Sequence, residues 1–199
     1  FNHRGRHVTD TAALHGSQMV GSCSLTLDNP QLLVIPFMGR EGRTGITFHT
    51  LKGDFLTATY LPAGSLPAAT AVNSKNHVAI TDCQNSKIFF IKEGRQKISY
   101  AFDIPQLQGE HHQPQPLGLA FDSEDNIFIS DTINCCIKVL DSAGNLLFKL
   151  GGPGYRPGEF RSPIGICLTS DDKILVADRD NQRVQMFTPE GQFLEYIVR

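Results

Sequence analysis

A repeat with a period close to 47 residues constrains the fold of this chain more than any other feature of its sequence. Four residues of one unit recur 47 positions later without a gap: Pro116, Asp131, Asn134 and Gly144 are followed by Pro163, Asp178, Asn181 and Gly191. One unit upstream, 49 residues earlier, the first three are preceded by Pro67, Asp82 and Asn85. A period of this size is typical of chains that stack small similar units, each needing its neighbours to bury its hydrophobic surface.

The residues between these landmarks predict four short strands in each unit. In the last unit the strands are Ile164–Thr169, Lys173–Ala177, Arg183–Phe187 and Gln192–Val198, separated by turns rich in Asp, Asn, Ser and Gly. No window shows the periodicity of an amphipathic helix. Four antiparallel strands repeated radially are the blades of a β-propeller, which leaves only short, protected sheet edges. The predicted fold class is therefore all-β, a β-propeller.

Four four-stranded blades and one additional strand account for the whole sequence. The predicted blades span residues 9–57, 58–102, 103–151 and 152–199, and the first is degenerate because it lacks the repeated Asp and Asn. Residues 1–8 resemble residues 187–194 of the last blade. Since the last blade has four strands of its own, residues 1–8 are predicted to be the last strand of a preceding blade. The chain is then expected to be part of a longer ring, because a closed ring of four blades leaves little room for inner side chains.

The repeated polar residues have structural explanations. The second strand ends in an aspartate that can accept hydrogen bonds from N–H groups of the turn: Asp82, Asp131 and Asp178. Three residues later stands an asparagine suited to a left-handed or turn conformation: Asn85, Asn134 and Asn181. Glycines between the third and fourth strands are expected at positive φ: Gly53, Gly94, Gly144 and Gly191. A metal-binding role for the repeated Asp and Asn is less favoured, because a metal site needs one set of ligands and these residues recur from blade to blade.

Two stretches, Ile127–Asn134 and Ile174–Asn181, resemble the NHL repeat, as do the strands that follow them. The resemblance is strong over residues 103–199, fair over 62–101 and weak over 1–61. It departs from the family at Cys135 and Gln182, where a histidine is usual. The resemblance implies a propeller, commonly six-bladed and often at the C-terminus of tripartite-motif ubiquitin ligases. There the propeller selects substrates or binds RNA, and a separate RING module performs the ubiquitin chemistry. These residues contain no RING-like cluster of Cys and His, so the chain itself is expected not to be an enzyme.

Blade topology sorts the turns onto two faces that differ in charge. Turns between strands 1 and 2, and between strands 3 and 4, share a face rich in Asp and Glu. Turns between strands 2 and 3 share the other face with the connections between blades, and this face carries clustered arginines, which suit phosphate and carboxylate groups. The predicted partner-binding residues all lie there: Arg40, Arg43, His111, His112, Arg156, Arg161 and Arg179. The alternative is that these charges belong to solvated loops without a binding role.

The composition of the chain limits the kinds of cofactor and partner that are expected. The net charge is −2, from 18 basic and 20 acidic residues, so attraction of the whole chain to nucleic acid or membrane is not expected. The five cysteines have no C-x-x-C spacing, which favours free thiols in a reducing compartment, the cytoplasm. No stretch approaches the roughly 20 apolar residues of a membrane span. No cofactor is expected, because two adjacent histidines are too few ligands for zinc.

The leading hypothesis is a macromolecule-binding propeller, the substrate- or partner-recognition domain of a cytosolic E3 ubiquitin-ligase-type protein. Its partner would be a protein, and any oligomerisation would use regions outside this chain. RNA binding is the first alternative, disfavoured by the near-neutral charge and the lack of interleaved aromatic and basic residues. The second is a metal-dependent propeller lyase or lactonase. Such enzymes need His, Glu or Asp converging from several blades, whereas Leu117–Phe121 and Ile164–Leu168 are rich in Gly, Ala and aliphatic residues.

Overall fold

The computed structural model describes residues 18–19, 22–27, 30–92 and 97–198, and its strands form four antiparallel sheets. Blade 1 contains β1 (Gln18–Met19), β2 (Ser24–Leu25), β3 (Leu32–Met38), β4 (Thr44–Thr50) and β5 (Phe55–Tyr60). Blade 2 contains β6 (Pro67–Val72), β7 (Val78–Asp82), β8 (Lys87–Ile91) and β9 (Tyr100–Asp103). Blade 3 contains β10 (Pro116–Phe121), β11 (Ile127–Asp131), β12 (Cys136–Leu140) and β13 (Leu146–Leu150). Blade 4 contains β14 (Pro163–Leu168), β15 (Ile174–Asp178), β16 (Arg183–Phe187) and β17 (Phe193–Val198).

Chain order and sheet order coincide in blades 2 to 4. In blades 2 to 4 each strand pairs with the one before it, and in blade 1 the short β1 and β2 both pair with β3 and together take the place of a first strand. Two 3-10 turns, Arg40–Gly42 and Arg179–Asn181, join second to third strands. The predicted four-stranded units are confirmed. The strand predicted at residues 1–8 lies outside the described residues, as does Gly94.

The hydrophobic core lies between consecutive sheets. One cluster joins blades 1 and 2, one joins blades 2 and 3, and one joins blades 3 and 4. Since the middle strands of blades 2 and 3 are covered on both sides, β7, β11 and β12 are buried along their whole length. The first strands β6, β10 and β14 contact one another in sequence. Sheets that pack face to face with their first strands side by side are the blades of a β-propeller, as the sequence predicts.

The repeated Asp and Asn fasten each connection to the blade that it enters. One carboxylate oxygen accepts from a backbone N–H just before the first strand, at Leu66 (2.9 Å), Gln115 (3.0 Å) and Arg161 (3.0 Å), for Asp82, Asp131 and Asp178 respectively. The other oxygen accepts from the Asn side-chain amide at 2.8, 2.8 and 2.7 Å. The same amide nitrogen also donates to a connection carbonyl, that of Gly64, His112 or Gly154. The landmarks therefore join turn and connection and do not act within the turn alone.

The left-handed residue of this turn follows the asparagine. Positive φ occurs at Ser86 (54°), Cys135 (52°) and Gln182 (53°), and the asparagines themselves are absent from the positive-φ residues of the described chain. Asn85, Asn134 and Asn181 therefore lie in the turn, one of the two conformations predicted for them, and the left-handed residue is the one after each asparagine. The prediction for the glycines is confirmed at Gly53 (94°), Gly144 (91°) and Gly191 (85°). At Gly144 a Cβ atom would also meet the Phe102 ring at 2.9 Å.

The Asp82 carboxyl should make the stability of the folded chain depend measurably on pH. Burial acts to raise its pKa, but hydrogen bonds from Leu66 and Asn85 outweigh burial and hold the pKa below the ordinary value of 3.8. A carboxyl whose pKa is lower in the folded chain stabilises the fold above the unfolded pKa, and that stability is lost as the pH falls through the folded pKa. We expect Asp82→Asn to be less stable at pH 7 and to lose less stability than the wild type below about pH 4. Urea unfolding at a series of pH values measures both effects; equal acid slopes in the two proteins would contradict the assignment.

Candidate partner-binding face

The predicted binding residues lie on one face of the molecule, here called the connection face. It consists of the turns between second and third strands (residues 39–43, 83–86, 132–135 and 179–182) and the connections 61–66, 104–115 and 151–162. The Asn-to-carbonyl hydrogen bonds described above bring these two sets of loops together. All seven predicted residues are exposed on this face: Arg40, Arg43, His111, His112, Arg156, Arg161 and Arg179. Their role in binding stays a prediction.

Arg161 and Arg179 border a pocket of about 530 Å³ at blade 4. The pocket is lined by Tyr155, Asp180, Asn181, Gln182, Arg183 and Tyr196. The Arg161 guanidinium lies over the Tyr155 ring, 5.4 Å from its centroid, and Tyr155 is 69% exposed. Arg179 binds the Asp180 carboxylate at 2.8 Å. This hydrogen bond, together with the charges of Arg179 and Arg161, lowers the pKa of Asp180. The blade 4 pocket is thus lined by an exposed aromatic ring and one carboxylate, and an arginine outside the lining contacts each of them.

Arg183, which the sequence reasoning did not single out, forms the floor of this pocket. Its guanidinium is almost fully buried and donates to Asp178 at 3.1 Å and to the Tyr196 hydroxyl at 3.1 Å. Three further donations go to backbone carbonyls of the 151–162 connection, those of Tyr155, Arg156 and Glu159. All five N–H groups of a guanidinium are then used. Arg183 therefore holds the loop that carries Tyr155 in place and has no donor left for a ligand.

Arg40, Arg43, His111 and His112 lie apart from the blade 4 pocket. Arg43 lines a second pocket of about 320 Å³ at blade 1, together with Glu41, Gly42, Thr44, Tyr60, Leu61 and Ala63. Arg40 begins the adjacent 3-10 turn. His111 and His112 are exposed in the 104–115 connection, and the His112 carbonyl accepts from Asn134. The structure therefore groups the predicted residues by blade and does not gather them into one site.

A buried ion-pair cluster holds the 104–115 connection against blade 3. The fully buried Lys138 ammonium lies 2.7 Å from Glu110 and 2.9 Å from Asp131, and it also donates to the Pro105 carbonyl at 2.8 Å. Glu110, Asp131 and Cys136 are close enough together to hold a metal ion, but the Lys138 ammonium already supplies the positive charge at this place. Burial, with the nearby Asp131 carboxylate, raises the pKa of the Cys136 thiol to about 12, so this sulfur is not a thiolate near neutral pH.

Two signals in the sequence could have pointed to the blade 4 pocket. Tyr155 is an aromatic residue in a connection rich in Gly and Pro. Arg183 stands where the preceding unit has Cys136, at the start of the predicted third strand. A buried arginine must find polar partners nearby, and the connection carbonyls are those partners.

Comparison with known proteins agrees with the fold and with the repeat. The NHL-repeat profile matches residues 160–187, which include Arg161 and the whole 179–182 turn. Human E3 ubiquitin-protein ligase TRIM32 is 47% identical over 53 residues, which are 27% of this chain and 8% of the ligase. Probable peptidyl-alpha-hydroxyglycine alpha-amidating lyase pgal-1 of Caenorhabditis elegans is 30% identical over 129 residues, which are 62% of this chain and 37% of the lyase. Residues 160–187 are therefore an NHL repeat, as predicted.

A solved structure extends the likeness to almost the whole chain. Virginiamycin B lyase from Staphylococcus aureus superposes with a TM-score of 0.66 at 19% identity, covering 92% of this chain and 55% of that chain. At this identity the likeness shows the propeller fold alone. The chain spans well under half the length of both relatives matched by sequence. Among the described residues, none forms a helix of the length and apolarity needed to cross a membrane.

Proposed function

We propose that this chain is a protein-binding propeller that recognises the substrate or partner of a cytosolic E3 ubiquitin-ligase-type protein through its connection face. The observation that carries the proposal is the blade 4 pocket. It places the exposed Tyr155 ring beside Arg161 and Arg179 on loops held by buried hydrogen bonds.

The chemistry of this pocket suits a protein ligand with acidic character. Arg161 and Arg179 lie against two of the lining residues, Tyr155 and Asp180 respectively, and Asp180 is the one carboxylate among the lining residues. Tyrosine and arginine are the residue types that most often dominate the binding energy of protein interfaces. Because Arg183 and Asp178 immobilise the surrounding loops, little conformational entropy is lost when a partner binds. Four of its six lining residues, Asp180 to Arg183, lie within the segment that matches the NHL repeat.

Charge reversal at the blade 4 pocket tests the proposal. We expect Arg161→Glu with Arg179→Glu to weaken partner binding at least about tenfold, because each reversal places a carboxylate opposite an acidic partner. The measurement is quantitative mass spectrometry of proteins that co-purify with the full-length protein from its own cells. The matched control is Lys75→Glu, an exposed change on the opposite face. Proteins retained by the control and lost by the double variant are candidate partners; identical protein sets would contradict the proposal.

RNA binding is the second candidate, because the structure places an exposed tyrosine beside arginines, and bases stack on tyrosine rings. A fluorescent single-stranded RNA tests it in the same variants. Binding that weakens steeply with salt and disappears in the double variant would favour RNA over a protein partner. No binding at low salt would remove this candidate.

An enzymatic function has less support, although lyases are among the similar proteins. The first strands β6, β10 and β14, whose residues are best placed to converge on a central site, contain no histidine and no carboxylate. Among the described residues, the one group of three potential metal ligands surrounds Lys138 and belongs to the framework.

A further inference from the structure

Ile133 is an exposed aliphatic residue at a turn position that is polar in the neighbouring blades. It lies in the 132–135 turn of blade 3 and is 42% exposed. The same position, two residues after the repeated aspartate, is held by Gln84 in blade 2 and by Asp180 in blade 4, and both of these are exposed. Tight turns favour Gly, Asn, Asp and Ser, so the local backbone gives no reason for a β-branched residue here. The choice of isoleucine therefore indicates a contact outside the turn.

Hydrogen bonds hold this turn rigidly between two loops of the connection face. Two of them join it to the 104–115 connection, and two join it to the segment that leads into blade 4. The four bonds run from the Thr132 N–H to the Gln115 carbonyl (3.1 Å), from the Asn134 amide to the His112 carbonyl (3.2 Å), from the Thr132 hydroxyl to the Pro163 carbonyl (2.6 Å) and from the Cys135 thiol to the Arg161 carbonyl (3.2 Å). Because the backbone of Ile133 is fixed in this way, little conformational entropy is lost when its side chain contacts a partner.

The last of these bonds places the 132–135 turn beside the blade 4 pocket. Burial raises the pKa of the Cys135 thiol, and the nearby charges that also act on this pKa include Asp180, which raises it, and Arg161, which lowers it. The backbone of Arg161 contacts the turn that carries Ile133, and its guanidinium lies over the Tyr155 ring. Arg161 therefore joins the exposed isoleucine of blade 3 to the exposed tyrosine of the blade 4 pocket.

The Arg161 guanidinium is available to an acidic ligand. Among the described residues, none provides a carboxylate within ion-pair distance of it. Asp180, the carboxylate that lines the pocket, binds Arg179 at 2.8 Å. Glu159, in the same connection as Arg161, accepts from the Arg156 N–H at 2.9 Å. A guanidinium without a carboxylate partner suits the bidentate recognition of a carboxylate from outside the chain.

We propose that Ile133, Arg161 and Tyr155 form one recognition surface for a linear peptide segment of the partner, in which an aliphatic or aromatic residue lies close to an Asp or Glu. The apolar side chain packs against Ile133, and the carboxylate binds Arg161 beside the Tyr155 ring. Burial of the exposed isoleucine contributes affinity, and the charge pair fixes the register of the peptide. The inference rests on the proposed function and extends it, since it adds a contact residue and names the class of peptide.

Selection from a displayed library of random heptapeptides on the full chain tests this inference. We expect the enriched peptides to carry an aliphatic or aromatic residue within three positions of an Asp or Glu. The most enriched peptide, labelled with a fluorophore, is then the probe for fluorescence polarisation. Ile133→Gln gives blade 3 the residue type that blade 2 has at this position. It should weaken binding of the probe at least about tenfold, because the apolar contact is lost.

Two further variants separate this contact from other effects. Ile133→Val keeps a branched aliphatic side chain and should bind the probe within about fourfold of the wild type, the effect of one methylene group. Leu147→Gln removes an aliphatic residue of similar exposure from the fourth strand of the same blade and should leave binding unchanged.

The failure of this inference is distinguishable from the failure of the proposed function. Probe binding that is lost in Arg161→Glu but unchanged in Ile133→Gln would overturn the inference and leave the proposed function standing. Enriched peptides that lack acidic residues and bind the wild type and Arg161→Glu equally would overturn both. A library that yields no enriched peptide would also overturn the inference, because the surface would then not recognise a linear segment.

Discussion

Replacing Lys138 by methionine should lower the free energy of unfolding by about 3–5 kcal/mol, the cost of removing one partner from a buried ion pair. Methionine fills a similar volume, so the loss reports on charge and hydrogen bonding and not on a cavity. Glu110 and Asp131 would be left in a buried position without their cation, and the Pro105 carbonyl would lose its donor. Urea unfolding followed by far-UV circular dichroism measures the change.

The matched control is Lys149→Met. Lys149 also faces Glu110, but at 3.8 Å and with its side chain about one-third exposed. Exposed pairs of this kind contribute about 0–1 kcal/mol, so this variant should be close to the wild type. If both variants lost the same small amount, the cluster around Lys138 would not be what holds the 104–115 connection in place.

Asp178→Ala should also cost about 3–5 kcal/mol and should disturb the blade 4 pocket as well. The fully buried Asp178 carboxylate accepts hydrogen bonds from the backbone N–H groups of Arg161 and Ser162, from Asn181 and from Arg183. Alanine leaves these donors without an acceptor and leaves the buried Arg183 without its countercharge. The free energy of unfolding and the fluorescence of the tyrosines report the two effects separately.

Asp180→Ala is the control for this variant, because Asp180 is two residues away, exposed, and paired only with exposed arginine. Its stability should stay within about 0.5 kcal/mol of the wild type, as for most surface substitutions. A loss for Asp178→Ala no larger than for Asp180→Ala would mean that the repeated aspartate does not fasten the connection.

The sequence predicts those parts of the fold that depend on local backbone geometry. The strands follow from short apolar runs bounded by turn-forming residues. The positive φ of Gly53, Gly144 and Gly191 follows from the residue type, because glycine adopts this conformation without strain. The asparagines lie in the turn, but a physical cause puts the left-handed conformation at the next residue. Their side chains donate to the connection, and the chain reverses one residue later, at Ser86, Cys135 and Gln182. Because those three residues differ in type, the repeat carries no signal for them.

The candidate site is harder to predict, because its contacts join segments without a repeated spacing. Topology was enough to place Arg161 and Arg179 on the connection face. The roles of Arg183 and Lys138 depend on carbonyls and carboxylates in loops about one blade away, and such pairings leave no pattern in a single sequence. The same difficulty applies to the opposite face. From the sequence alone Asp125 and Asp172 count as free negative charges, but in the structure they accept hydrogen bonds from a neighbouring blade.

The anchoring of each connection by Asp82, Asp131 and Asp178 has a consequence for how recognition can diversify. The connection between Tyr60 and Pro67 is much shorter than the one between Leu150 and Pro163, yet both reach their first strand through the same carboxylate contact. Whatever precedes the anchor can therefore change in length and composition while the strands keep their places. The four-stranded blades can thus serve as a constant scaffold for connections of different specificity.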